Sequence, residues 1–158
     1  MLNQAKCTLS YGLGSIVDKD EIAVIDVQTH QVVNHWPVAP AKKPSGLALD
    51  QVHHRLFTGG DNKLMTILDS ATGKVVASVP IGDDPDAVAF DPGTQLAFSS
   101  NGEGTVTIVH EDSPDKLTVV QTLKTQSGAK TIAIDPKTHR IFLPVGTGEN
   151  FKILVYGM

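Results

Sequence analysis

A repeated segment constrains the fold of this chain more than any other feature. Pro44–Asp50 (PSGLALD) recurs as Pro85–Asp91 (PDAVAFD) and, more loosely, as residues 129–135 (AKTIAID). The aspartates that end the three segments are spaced 41 and 44 residues apart, and a phenylalanine follows each of them by seven residues. A period of about 40 to 45 residues is typical of the blades of a β-propeller.

Each period predicts four short strands. Apolar runs rich in Val, Ile and Thr are separated by clusters of Gly, Pro, Asp and Asn, and no stretch keeps helical spacing without a Pro or Gly. The predicted strands are residues 22–27, 32–37, 45–50, 55–59, 64–69, 74–80, 86–91, 95–99, 105–110, 117–124, 130–135, 140–144 and 152–156. The expected fold is therefore all-β, with antiparallel four-stranded blades, about three and a half per chain, or half of a seven- or eight-bladed ring.

The same pattern predicts the domain organisation. Residues 1–14 match no blade strand and are assigned to a leader, and residues 15–158 form a partial propeller. Its repeats lie near residues 22–63, 64–104 and 105–151, with a last strand at 152–156. One interruption stands out, because the turn at 111–116 is longer than its counterpart at 70–73.

Charge and composition exclude several classes of protein. Thirteen Lys and Arg residues against 17 Asp and Glu give a net charge of −4, so we expect neither nucleic acid nor a membrane surface as a partner. No apolar run reaches the roughly 18 residues of a membrane-spanning helix. The single cysteine, Cys7, leaves no internal disulfide, and residues 1–14 lack the features of a signal peptide.

The chain resembles the YVTN-type, YncE-like β-propeller repeat proteins from about residue 16 to residue 158. The resemblance rests on stretches such as AVIDVQTHQVV, PSGLALD and ILDSATGKVVASVPIGDDPDAVAFDP. It implies a seven-bladed relative of about twice this length, of which the chain matches the C-terminal half. It also implies the bacterial periplasm, with no assigned reaction for most members and DNA binding for some.

Half a ring leaves two sheet edges and an inner face uncovered, and uncovered edges invite association. We therefore expect a homodimer in which two copies complete the ring. The alternative is that a missing N-terminal half supplies the other blades.

The candidate ligand-binding residues lie where a propeller's funnel opens. Ser45, Asp86 and Lys130 take equivalent places at the entry to the innermost strand, and their different chemistry suits reading a ligand. The loops between second and third strands add four polar residues: Asp61, Asn62, Asn101 and Glu103. Oxygen ligands of this kind suit Ca²⁺, but Asn-Gly and Asp-Asn also form ordinary tight turns, and all seven residues could simply line a solvated funnel.

Neither a metal site nor a catalytic residue is expected from the spacing of other residues. The six histidines show no H-x-H or H-x₃-H pattern, although His53 and His54 are adjacent, and no G-x-S-x-G elbow or phosphate loop occurs. Asp50, Asp91 and Asp135 have a structural interpretation, because an Asp before a turn accepts a backbone N–H two residues on.

The expected function is a non-catalytic binding or scaffold protein with an unidentified small-molecule or protein ligand and no cofactor, Ca²⁺ aside. A first alternative is a metal-dependent, lactonase-like hydrolase with Asp61, Asp86, Asn101 and Glu103 as ligands. A second is a DNA-binding propeller, which requires Lys42, Lys43, Lys63 and Lys130 to gather on one face.

Overall fold

A computed structural model describes residues 11–146 and 148–157 as four antiparallel sheets, each a propeller blade. Blade 1 contains β1 (Tyr11–Ile16), β2 (Glu21–Asp26) and β3 (Val32–Pro37). Blade 2 contains β4 (Pro44–Asp50), β5 (Arg55–Gly60), β6 (Leu64–Asp69) and β7 (Val75–Pro80). Blade 3 contains β8 (Pro85–Asp91), β9 (Leu96–Asn101), β10 (Thr105–Ser113) and β11 (Lys116–Lys124). Blade 4 contains β12 (Ala133–Asp135), β13 (Arg140–Val145) and β14 (Lys152–Tyr156).

The predicted fold is confirmed. The described residues contain fourteen strands, the number in three and a half four-stranded blades. They form two complete blades flanked by two three-stranded blades. Three predicted strands keep their bounds unchanged, namely β3, β6 and β14. The clearest difference is β12, which is shorter than the predicted 130–135 because Lys130 and its neighbours remain in the loop that enters the strand. Helical structure in the described ranges is confined to two single turns, Val17–Lys19 and Gly148–Asn150, both far too short to cross a membrane.

Among the described residues, the two three-stranded blades contain different strands of the repeat. Tyr11 pairs with Asp26 in blade 1 as Arg55 pairs with Asp69 in blade 2, so β1 corresponds to a second strand. Blade 4 instead has the first three strands, and β14 has no neighbour on its outer side among the described residues. Residues 11–14, assigned to the leader from the sequence, thus belong to β1. Gly12 and Gly14 gave them little strand character. Residues 1–10, with Cys7, lie outside the described residues.

The core lies between blades rather than within them. Each pair of neighbouring blades encloses one apolar cluster. Ile22, Trp36 and Leu68 belong to the cluster between blades 1 and 2. Phe57 belongs to the cluster between blades 2 and 3, and Phe98 to the one between blades 3 and 4. The phenylalanine that recurs in the sequence is therefore the residue that seals one blade against the next.

Two glycines permit close approaches in this packing. Gly46, with φ +69°, lies where a Cβ would come within 2.6 Å of the Val88 backbone nitrogen in the next blade. Gly73, with φ +73°, lies against the Trp36 ring, which a Cβ would overlap. Any other residue at these positions would force neighbouring blades apart.

The three repeated aspartates accept the predicted turn hydrogen bonds. Asp50 accepts from the Val52 backbone N–H at 2.9 Å, and Asp91 and Asp135 do the same at 3.0 Å two residues on. Asp91 is fully buried and also bonds His139 of blade 4, with its Oδ2 2.7 Å from Nδ1. Its role thus extends from the turn to the blade interface.

We predict that Asp91→Ala lowers the free energy of unfolding by about 2 to 3 kcal/mol, because buried donors lose their acceptor. Asp135→Ala removes a similar turn bond from an exposed position and is expected to cost clearly less. Urea denaturation of the two variants measures the difference. Equal losses would show that the contact with His139 contributes nothing.

Candidate functional site

Loops from blades 2, 3 and 4 meet at one face of the molecule, which we call the funnel mouth. It consists of the loops that enter the first strands (residues 38–43, 81–84 and 125–132) and those that join second to third strands (residues 61–63 and 102–104). Three ion pairs connect these loops. Lys43 Nζ lies 3.1 Å from Asp61, Lys63 Nζ 3.0 Å from Asp83, and Lys130 Nζ 2.6 Å from Asp84.

Lys130 is the cation around which the acidic residues gather. The hydrogen bond to Asp84 raises the pKa of Lys130, and the charges of Asp84, Asp86 and Asp61 add to this effect. Lys130 therefore stays protonated, and its ammonium is in contact with the Asp84 carboxylate.

The two candidate asparagines stabilise turns. Asn62 accepts from the Lys42 backbone N–H at 2.9 Å and donates to the Pro40 carbonyl at 3.0 Å. Asn101 is fully buried, and its Oδ1 accepts from the Ser99 hydroxyl at 2.9 Å. Its Nδ2 donates to two hydroxyls of β10, those of Thr105 and Thr107, at 3.0 and 3.1 Å.

The structure thus divides the seven predicted residues into three groups. Asp61 and Lys130 lie in the loops of the funnel mouth, and Ser45 and Asp86 lie beside it at the starts of β4 and β8, where the Ser45 hydroxyl donates to the Asp86 backbone carbonyl at 2.8 Å. Glu103 is exposed at the rim and accepts from the Thr105 hydroxyl at 2.8 Å. Asn62 and Asn101 have their amide groups engaged in local hydrogen bonds.

A second polar cluster lies on the opposite face, where turns join first to second and third to fourth strands. His53 Nδ1 is 2.6 Å from Asp50 Oδ2 and 3.5 Å from Glu111 Oε2. Asp50 and Glu111 are both 2% exposed. Among the described residues, neither carboxylate oxygen of Glu111 has a hydrogen-bond partner.

The pKa values of these three residues depend on their burial and on their hydrogen bonds. Burial raises the pKa of Glu111, and the nearby Asp50 carboxylate raises it further. Burial acts in the same direction on Asp50, but hydrogen bonds from the Val52 N–H and from His53 outweigh it, so the pKa of Asp50 is lowered. The hydrogen bond to Asp50 raises the pKa of His53.

Sequence reasoning considered Asp50 and His53 singly and did not select Glu111. These residues are separated by up to 61 positions and meet only because blades 2 and 3 pack together. The sequence contained one signal of this cluster, namely the extra residues in the turn at 111–116. They extend the hairpin of β10 and β11, which reaches back to blade 2 and bonds Arg55 through the Pro114 carbonyl at 2.8 Å.

Two sizeable cavities open between blades, beside a smaller one of about 210 Å³ between blades 1 and 2. One of about 490 Å³ lies between blades 1 and 2 and is lined by Trp36, whose buried Nε1 has no partner among the described residues. It borders Tyr11, where the described chain begins. The other, of about 290 Å³, lies between blades 3 and 4. Both are lined mainly by apolar side chains.

Comparison with known proteins supports the fold. The chain is similar to a chain of hydrazine synthase from Kuenenia stuttgartiensis, with 12% identity and a TM-score of 0.79, covering 94% of this chain and 43% of that one. It is also similar to a chain of a mitotic checkpoint complex, with 15% identity and a TM-score of 0.78, covering 94% of this chain and 46% of that one. The chain thus spans less than half the length of either neighbour. No family model and no curated protein sequence matches it.

We predict that Asn101→Ala lowers the free energy of unfolding by about 2 to 3 kcal/mol, since three hydroxyl groups lose their partner in a buried setting. Asn62→Ala, at an exposed turn, is the matched control and is expected to cost about 1 kcal/mol. Chemical denaturation distinguishes the two. A neutral Asn101→Ala would return Asn101 to the list of candidate ligands.

Proposed function

We propose that this protein is a non-catalytic binding or scaffold propeller of the YVTN type whose ring is closed by a second copy of the chain. One observation carries the proposal, the orientation of Phe142. It occupies the place in blade 4 that Phe57 and Phe98 occupy in blades 2 and 3, where they are buried against the following blade. In blade 4 that face has no following blade among the described residues.

The surroundings of Phe142 form an apolar surface suited to an interface. Val155 lies directly opposite Phe142 in the sheet, and Ile153 opposite Pro144, so these four side chains share one face. Val155 and Ile153 are 51% and 53% exposed. Two exposed branched side chains beside the half-buried Phe142 on one sheet face favour packing against another blade.

The outer face of blade 1 is the surface that the second copy would cover. Leu13 and Val24 pack toward blade 2, so their alternating neighbours face away from it: Gly12, Gly14, Ala23, which is itself buried, and Ile25, which lies opposite Gly12. A Cβ placed on Gly14 would contact nothing within 4 Å. Small residues at one end and large apolar ones at the other allow two copies to pack head to tail, and a two-fold axis closes the arrangement as an eight-bladed ring.

The contacts that the funnel residues already make support a binding function rather than a catalytic one. Of the residues that a lactonase-like enzyme would offer to a metal, Asp61 is paired with Lys43 and the Asn101 oxygen already accepts a hydrogen bond. DNA binding is disfavoured, because Lys43, Lys63 and Lys130 each form an ion pair with an aspartate. We propose a small polar molecule or a protein as ligand and, by the family resemblance, the bacterial periplasm as compartment.

We predict that light scattering on a sizing column gives twice the 16.8 kDa of one chain. Val155→Lys is expected to shift the mass to that of the monomer, because a charge would be buried at the interface. Val120→Lys is the matched control. Val120 is also on a strand and 54% exposed, but it lies in blade 3, which has a neighbour on each side. It should leave the dimer intact.

A monomeric wild-type protein with a cooperative thermal transition would overturn the closure by a second copy. A dimer that Val155→Lys leaves unchanged would place the interface elsewhere. Circular dichroism of both variants confirms that the lysine has not unfolded the chain.

A further inference from the structure

The cluster of Asp50, His53 and Glu111 joins two blades at a point where the regular repeat is interrupted. Asp50 ends β4 and His53 lies in the following turn of blade 2, whereas Glu111 lies in the part of β10 that extends beyond the repeat. One donor atom from each residue lies within 4.8 Å of the other two. The cluster involves blades of a single chain and does not depend on how the ring is closed.

The positive charge at this cluster is insufficient for two buried carboxylates. His53 is the only cationic side chain in contact with either carboxylate among the described residues. Arg55 is close in sequence, but its guanidinium is engaged with Asp69 at 3.1 Å and with Asp115 at 2.7 Å. Among the described residues, no donor hydrogen-bonds to either oxygen of the buried Glu111 carboxylate, and its charged form is costly unless a cation, or a proton shared with Asp50, compensates it.

We propose that Asp50, His53 and Glu111 bind a divalent first-row metal ion, with Zn²⁺ as the representative, and that the ion fastens blade 2 to blade 3. Zinc takes histidine nitrogen and carboxylate oxygen at about 2.0 to 2.2 Å, so donors of one ion lie within about 4.4 Å of each other. Tetrahedral geometry at these bond lengths places the donors about 3.3 to 3.6 Å apart. The Nδ1–Oδ2 contact of 2.6 Å between His53 and Asp50 is a hydrogen bond, so these two side chains must move apart by about 1 Å for both to bind the ion. The imidazole disfavours Ca²⁺ and Mg²⁺, which take oxygen ligands.

The ion has a route into the site, because the His53 side chain is 32% exposed while those of Asp50 and Glu111 are almost fully covered. Two carboxylates balance the charge of a divalent ion. Three protein ligands leave a fourth position for water on the solvent side, as zinc coordination allows.

The next pair of blades provides an internal control. His139 Nδ1 lies 2.7 Å from Asp91 Oδ2, a contact that also joins neighbouring blades. In the described part of the chain, no third acidic residue completes this pair into a metal-binding group. Asp91 is instead satisfied by the Gly93 N–H and the Thr94 hydroxyl, each at 3.0 Å.

The test is calorimetric titration of tag-free, EDTA-treated protein with ZnCl₂, together with melting curves with and without Zn²⁺. The wild type is expected to bind one Zn²⁺ per chain and to melt several degrees higher, because the ion binds the folded state alone. Glu111→Gln and His53→Gln should each weaken binding by at least about 100-fold, more than the loss of an outer-shell partner. His139→Gln should bind Zn²⁺ like the wild type.

Several results would overturn the proposal. A wild type that takes up no Zn²⁺ would show that a proton, rather than a metal, compensates Glu111. Binding that persists in both Glu111→Gln and His53→Gln, or that His139→Gln abolishes, would place the ion elsewhere. His53→Gln changes a half-buried turn residue and keeps the test decisive should Glu111→Gln fail to fold.

Discussion

The structure depends on apolar packing between successive blades. A blade is a narrow twisted sheet with two apolar faces, and a sheet of three or four strands gains stability only when these faces are covered. Phe57 and Phe98 each fill the gap to the next blade, and both are buried. The same requirement applies at Phe142, whose face has no covering blade among the described residues. This uncovered face is the physical basis for the association proposed above.

Polar contacts add order to this apolar framework at two opposite faces. At the funnel mouth, three Lys–Asp pairs lie in exposed loops, where such pairs contribute little to stability and leave the surface free to recognise a ligand. On the other face, Glu111 and Asp50 are buried between blades, where charge must be compensated. The exposed ion pairs of the funnel mouth suit the binding of different partners. The buried carboxylates suit a fixed connection between blades.

The fold was predictable because its signal is local and repeated. The strand lengths, the turn residues and the period can each be identified within a segment of about 45 residues. The same pattern then occurs in each repeat. The site was less predictable. Aligning the repeats places Ser45, Asp86, Lys130 and Asp61 at or beside the funnel mouth, whereas their role in binding a ligand stays a prediction. Asn62 and Asn101 could not be distinguished from ligands, because an amide that stabilises a turn and one that binds a ligand look the same in a sequence.

The sequence by itself determined the blade, its four strands and the turn aspartates, since these follow from alternation of apolar residues and from turn chemistry. Only the tertiary structure decided which charges meet. Lys130 contacts Asp84 across the interface between blades 3 and 4, and Glu111 meets Asp50 and His53 across another. Such contacts arise from the rotation of one blade relative to the next, which brings together residues that are about 40 to 70 positions apart. The interaction between two charges depends on their distance in space, and a pattern along the sequence does not determine that distance.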